Sequence, residues 1–466
     1  MQAGQPGSAS RRGVGRVAHW SIVTPHAPTP PHLTPAEAAG LLRPRDTLGL
    51  GLGPANPDGF LTALGGRDDW EELVVGGALL LGYYPFLAHP GVAYRSGFFG
   101  PAERVLLAQG ARVELVPGGF RQFGPILRRF APRVMAVQAA PPDEDPEEGW
   151  GVNLSLHMGA TIDELLAAGR DPDRLLVVEV SPNFPRTRSL PPTYRNRLPL
   201  DVIDVLVESS STPYELPPSQ ADDVDRAIAA LARSFVRDGS TLQIGIGAVP
   251  DMVAHQLAIE ETGGSYGIHS EMFTDGLMNL HRAGKVTNDA KGIFDGRSVT
   301  TFALGSRALY DWLDGNDDIA FLPVEVVNDP TVIARNRSFV SVNGALAVDL
   351  YGQIVADCVD GRQISGVGGH EDFVSGAELR ADDHSLVCLH STVTVAGETR
   401  SRIVAELPGG SVVSTPRHHT GVVVTEHGAA DLVGLTVRER AHALADLAHP
   451  DYRAELHHAA EALGRG

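Results

Sequence analysis

The sequence predicts an α/β protein built as two similar open α/β domains in one chain, the product of an internal duplication. Three observations carry this prediction. The first is a repeat. Residues 46–53 read D-T-L-G-L-G-L-G, and residues 241–247 read T-L-Q-I-G-I-G after Asp238. Each copy follows an amphipathic helical pattern, over 35–42 and 224–236, and precedes Pro-Asp (Pro57-Asp58, Pro250-Asp251) with a further helical segment. Thr47 and Thr241 stand 194 residues apart, too long a period for a solenoid. The second is alternation. β-rich runs at 134–138, 175–180 and 203–208 are interleaved with helical patterns, which favours largely parallel sheets. The third is length: 466 residues exceed one ordinary core and suit two domains.

In chain order, residues 1–30 hold Arg11, Arg12 and Arg16 with no apolar stretch behind them, so they read as a disordered leader rather than a secretory signal. Residues 31–215 form the first domain and 220–466 the second. The polar segment 212–223, with its prolines, is the linker between them.

Composition narrows the function. The chain is 43% hydrophobic and 20% charged, which is globular, and Gly 52 with Pro 33 implies many tight connections. Two cysteines, Cys358 and Cys388, are too few for a disulfide framework or a Cys-rich metal site, and a reducing cytoplasm is the natural home. No run approaches the roughly 18 apolar residues of a membrane span. A net charge of −19 argues against general nucleic-acid binding, and the short basic run Arg128, Arg129, Arg133 reads as a solvated helix end.

Four motifs could carry chemistry. Gly245-Ile246-Gly247-Ala248-Val249-Pro250-Asp251 follows a strand pattern, and glycines at a strand-to-helix turn let backbone N–H groups face an anion. A plain tight turn fits the same residues, and Pro250 stands where a dinucleotide fingerprint needs glycine. Gly263-Gly264-Ser265-Tyr266-Gly267 matches a hydrolase nucleophile elbow, but a helical pattern rather than a strand precedes Ser265, so it reads as a loop. Glu271, in G-I-H-S-E-M-F-T-D-G, stands at the end of a short apolar strand, where open α/β sheets present reactive groups. By spacing alone such a residue is more often a structural acid or an ion-pair partner. Ser365-Gly366-Val367-Gly368-Gly369-His370-Glu371 bares the backbone, either as a flexible turn or as a set of oxyanion donors. The histidine pairs His418-His419 and His457-His458 share no spacing that would build a metal site.

Taken together these motifs resemble the acetyl-CoA hydrolase/transferase family of CoA-transferases. The resemblance runs through G-I-G-A-V-P-D (245–251), G-I-H-S-E-M-F-T-D-G (267–276), K-V-T-N (285–288) and N-D-P-T-V-I-A-R-N (328–336). It continues in N-G-A-L-A-V-D-L-Y-G-Q (343–353), S-G-V-G-G (365–369), S-R-I-V (401–404) and V-V-V-T-E-H-G-A-A-D-L (422–432). It is weaker in the first half, where residues 134–159 contain an acidic insertion and His157 replaces a usual glycine. The resemblance implies two CoA-transferase domains with the active site between them. It places a nucleophile at Glu271, a CoA-contacting loop at Gly245, Ile246, Gly247, Ala248 and Val249, and an oxyanion donor at Gly369 beside Ile246. Ser365, Gly368 and Leu346 fall beside CoA. His370, Glu371 and His427 depart from the pattern, and Arg400 stands in for an absent lysine.

The implied reaction moves CoA from an acyl-CoA to a small carboxylic acid through an acyl-glutamyl anhydride and a glutamyl-CoA thioester. CoA is then a substrate, with no permanently bound cofactor and no metal. A carboxylate ordinarily ionises well below neutrality, so Glu271 is expected to need no general base. Family similarity implies a homodimer or homotetramer. The rivals are an acyl-CoA hydrolase using the same glutamate, a non-catalytic CoA-binding protein and a dinucleotide oxidoreductase.

Overall fold

The computed structural model describes residues 30–158, 161–359, 361–377 and 379–463. Apart from Pro30, the expected leader lies outside the described residues.

Two mainly parallel sheets organise the chain. The first has eight strands, all parallel, in the spatial order His32–Leu33, Val205–Glu208, Leu175–Val180, Val134–Ala139, Arg45–Leu50, Glu72–Gly77, Val92–Ser96, Arg112–Leu115. After the short edge strand His32–Leu33, the chain enters near the centre with Arg45–Leu50, winds outward to Arg112–Leu115, then returns to the other side at Val134–Ala139. That reversal makes a switch point at the end of Arg45–Leu50. Strands such as Val134–Ala139 are buried at every position, as expected when helices cover both faces.

The second sheet runs Gly267–Ile268, Thr241–Ile244, Phe339–Gly344, His384–Cys388, Val422–Thr425, Gly428–Asp431. Its pairs are parallel except the last, a hairpin. Here the reversal falls at the end of Thr241–Ile244. Both glycine-ended repeats therefore end at a switch point, where open α/β sheets leave a crevice beyond their strand ends.

Helices follow their local signals. Thr34 caps Pro35–Ala39 and exchanges bonds with Glu37, and Asp222 and Asp225 do the same for Asp223–Arg233. One apolar core runs unbroken from Val137 and Leu176 of the first sheet to Leu242 and Ile244 of the second. Residues 209–222 carry no helix or strand. They are nonetheless anchored: Leu216 N–H donates to the Gly305 carbonyl, and the Tyr310 hydroxyl donates to the Tyr214 carbonyl.

One reading is corrected. Arg128 and Arg129 do end the helix Phe123–Phe130, but Arg133 is not a solvated end. Its guanidinium forms a half-buried pair with Asp46, whose side chain is 2% exposed, and clamps the start of Val134–Ala139 to Arg45–Leu50. Cys358 and Cys388 are buried free thiols. No described helix is long and apolar enough to cross a membrane.

Candidate active site

A cavity of about 840 Å³ opens just past the strand ends of both sheets. The first sheet contributes Leu52, Gly53 and Pro54 from its switch point, and the second contributes Gln243, Gly245 and Ile246 from its own. The glycine strip from Ser365 to His370 forms a third wall, and Glu271 opens into the space between them.

Glu271 is held by its own backbone. Its carbonyl accepts from the N–H groups of Thr301 (3.0 Å) and Phe302 (3.2 Å) and from the Thr300 hydroxyl (3.0 Å). The preceding strand is fixed from behind by two fully buried side chains. Lys291 Nζ donates to the carbonyls of Ile268 and Arg297, and the His269 ring bridges the Val327 carbonyl and Asn336. The Glu271 side chain thus projects from a rigid mount.

Its carboxylate Oε2 accepts a 2.6 Å hydrogen bond from Asn328 Nδ2. Gly369 lies against the same oxygen: a Cβ there would stand 1.8 Å from Oε2 and 2.2 Å from Asn328 Nδ2. No larger residue fits without displacing the carboxylate. The strip is also pressed onto the first half of the chain. Gly368 accepts from the Phe120 N–H at 2.9 Å, and a Cβ on Gly366 would meet the Gly97 carbonyl at 2.7 Å.

Electrostatics corrects the expectation of a fully ionised Glu271. Burial pushes its carboxyl up to about 7, against the pull of the Asn328 bond and with help from the charge of Asp372. Near neutrality a substantial fraction is therefore protonated. Burial also lifts Asp372 to about 6, opposed by Arg121, whose Nε lies 3.3 Å away.

Gly245, Ile246, Ser365, Gly368, Gly369 and Glu271 all line the cavity. Gly247, Ala248 and Val249 are not part of its wall; Gly247, at φ +124°, caps the helix Ala248–Ile259. Leu346 is also outside the wall, its N–H donating to the Val355 carbonyl. Ser265 sits in the loop between that helix and Gly267–Ile268, away from the cavity. Among the departures, His370 faces the cavity, bonded to the Thr415 hydroxyl at 3.0 Å and held neutral by burial, at about 4. Glu371 instead pairs with Thr415 and His419. Arg400 pairs with Glu398, and His427 packs on His449, both outside the wall.

Sequence reasoning gave no role to Asn328, Asp372 or Arg121. Asn328 does open the N-D-P-T segment already singled out, so a signal existed; the other two had none. His157 was visible only as a departure from glycine. Among the described residues, Asp222, Asp225 and His390 bring ligand-type atoms within 4.8 Å of one another outside this cavity. The two aspartates are engaged in capping their helix, and Asp225 also pairs with His390.

Residues 305–460 match the family model of the acetyl-CoA hydrolase/transferase C-terminal domain. The chain is 36% identical over 342 residues to 4-hydroxybutyrate coenzyme A transferase of Clostridium kluyveri, an alignment covering 73% of this chain and 74% of that relative. It is 32% identical over 435 residues to succinyl-CoA:cyclohexane-1-carboxylate CoA transferase of Geobacter metallireducens, covering 93% and 95%. The solved structure of RipA from Yersinia pestis is similar at a TM-score of 0.82, with 31% identity over 92% of this chain and 97% of that one. With this identity running over most of its length, the chain belongs to the acetyl-CoA hydrolase/transferase family and is a CoA-transferase.

Proposed function

We propose that the chain transfers CoA from an acyl-CoA to a small carboxylic acid, with Glu271 as the group that carries first the acyl unit and then CoA. Ionised Glu271 attacks the thioester carbonyl, giving an acyl-glutamyl anhydride and CoA thiolate. The thiolate attacks the glutamyl carbonyl, which forms the Glu271–CoA thioester and releases the first acid. An incoming carboxylate reverses the sequence. Covalent passage splits one difficult exchange into easier steps.

The observation that carries this reading is the placement of Glu271 in a cavity onto which both sheets open at their switch points. The same observation supports two duplicated domains, 31–215 and 220–466, with the active site between them. Each attack creates an oxyanion, and the bare backbone at Ile246 and Gly369 supplies N–H donors of the kind worth about 2.7–4 kcal/mol elsewhere. The apolar neighbours Phe120, Met272, Phe302 and Leu304 disfavour water at the anhydride, which favours transfer over hydrolysis.

The test is chemical. Incubation with acyl-CoA, borohydride reduction and peptide mapping should find the Glu271 side chain reduced, because a glutamyl thioester is reducible and a free carboxylate is not. An unmodified Glu271 rejects the mechanism. CoA release that is independent of added carboxylate reassigns the chain as a hydrolase.

A further inference from the structure

One polar group in the cavity is not used by the chemistry above. His157 is 2% exposed and lines the cavity, its ring stacked on Phe302 (5.9 Å between centroids) and edge-on to Phe120 (6.3 Å). Neither Nδ1 nor Nε2 has a hydrogen-bond partner among the described residues. Leaving a buried donor and acceptor unpaired is costly, so such a group is retained where something else pairs with it.

We propose that His157 is a specificity-determining residue, hydrogen-bonding a hydroxyl on the acyl chain presented to Glu271. The inference rests on the reading of Glu271 as the acyl-accepting group, and it adds a substrate class to that reading.

Position comes first. His157 pairs across the backbone with Phe302, and Phe302 pairs with Met272, the residue after Glu271. Two strand spacings separate His157 from Met272, about 10 Å. That is within reach of a short acyl chain whose carbonyl sits at Glu271.

Charge comes second. Burial among aromatic rings holds the imidazole neutral, at about 4, so one nitrogen donates and the other accepts. A hydroxyl, which donates or accepts as needed, can pair with whichever ring nitrogen faces the chain. A second carboxylate on the acyl chain matches only one, and would need a cation. Arg104 is the only lysine or arginine in the described wall, and its guanidinium is already bonded to the Ile364 carbonyl. An uncharged chain bearing one polar oxygen therefore fits this end of the cavity better than a dicarboxylic one.

The experiment compares kcat/KM for butyryl-CoA, 3-hydroxybutyryl-CoA, 4-hydroxybutyryl-CoA and succinyl-CoA, with acetate as acceptor, in wild type, His157→Phe and His157→Gln. The better hydroxyacyl donor should lose at least about tenfold of its advantage over butyryl-CoA in His157→Phe. Gln, which keeps a donor and an acceptor, should restore most of that ratio. An unchanged ratio in an exchanging His157→Phe enzyme overturns the proposal. So does a wild-type preference for succinyl-CoA that His157→Phe abolishes. Should His157→Phe not fold, the wild type labelled with 15N-histidine is titrated with hydroxybutyrate and with butyrate. A His157 ring shift specific to the hydroxy acid supports the proposal, and identical responses overturn it. Exchange of no acyl-CoA by the wild type would instead overturn the reading of Glu271, while the imidazole titration still decides the role of His157.

Discussion

Glu271→Gln should make the folded chain more stable at alkaline pH and leave it unchanged at acid pH. The carboxyl is held at about 7 by burial, against an ordinary 4.5. At about 1.4 kcal/mol per pH unit, keeping it ionised in the fold costs roughly 3 kcal/mol. The sign follows from proton uptake. Between 4.5 and 7 the folded chain holds a proton that the unfolded chain has lost, so wild-type stability falls as pH rises through this window. The penalty is fully present above 7 and absent below 4.5. Glutamine keeps the shape and can still accept from Asn328, but it has no charge to desolvate. Urea unfolding of both proteins between about pH 4 and about pH 8.5 measures the difference, and other titrating groups cancel. A stability difference that does not change with pH, or a less stable variant at pH 8.5, refutes the assignment of a buried, destabilised carboxylate. The same variant should have no CoA exchange, since it lacks the nucleophile; wild-type-like turnover would refute the mechanism.

The other predictions concern groups around this carboxylate and one remote pair. The kcat/KM for acyl-CoA should rise with pH to a plateau, with an apparent midpoint near 7 set by Glu271 in the free enzyme; a pH–rate profile flat from about 5 to 8 contradicts this. Asn328→Ala removes the 2.6 Å bond that favours the anion, so the midpoint should move to higher pH and exchange at neutrality should fall about 10- to 100-fold, by steady-state assay. Gly369→Ala puts a methyl 1.8 Å from Oε2; it should abolish glutamyl-CoA formation in mass mapping and cost about 1–3 kcal/mol in denaturant unfolding. Arg133→Ala leaves the buried Asp46 carboxylate with only the Arg43 and Thr47 N–H bonds and should cost about 1.5–3 kcal/mol by the same measure, with the active site untouched.

The second half of the chain was the more legible. Its glycine motifs are local: Gly245 and Ile246 follow their strand directly, and Ser365 to Gly369 lead into the helix His370–Ala377. Both copies of the repeat at residues 46–53 and 241–247 prove to end at switch points, a placement that only the strand order reveals. The surroundings of Glu271 left no local mark. Its hydrogen-bond donor lies 57 residues away, at Asn328, and the charge that raises its proton affinity sits at Asp372. Only the fold buries that carboxyl, which is the main cause of its raised proton affinity and outweighs the Asn328 bond, so the expectation of an ordinary ionised carboxylate failed. Arg133 was misread for the same reason. Its partner Asp46 is 87 residues away, while Arg128 and Arg129 stand within five residues of it in sequence. Residue type and spacing report local geometry well and desolvation poorly.

The two oxygens of Glu271 are not equivalent. Asn328 and Gly369 both press on Oε2, leaving Oε1 as the atom that can meet a thioester. Under the proposed route, Oε1 leaves with the departing acid when thiolate displaces it, and the acceptor acid supplies its replacement. Successive turnovers would thus renew one atom of the enzyme from substrate while its neighbour stays for the life of the protein. Acceptor carrying 18O should enrich the side chain by a single atom, and no number of further cycles should add a second.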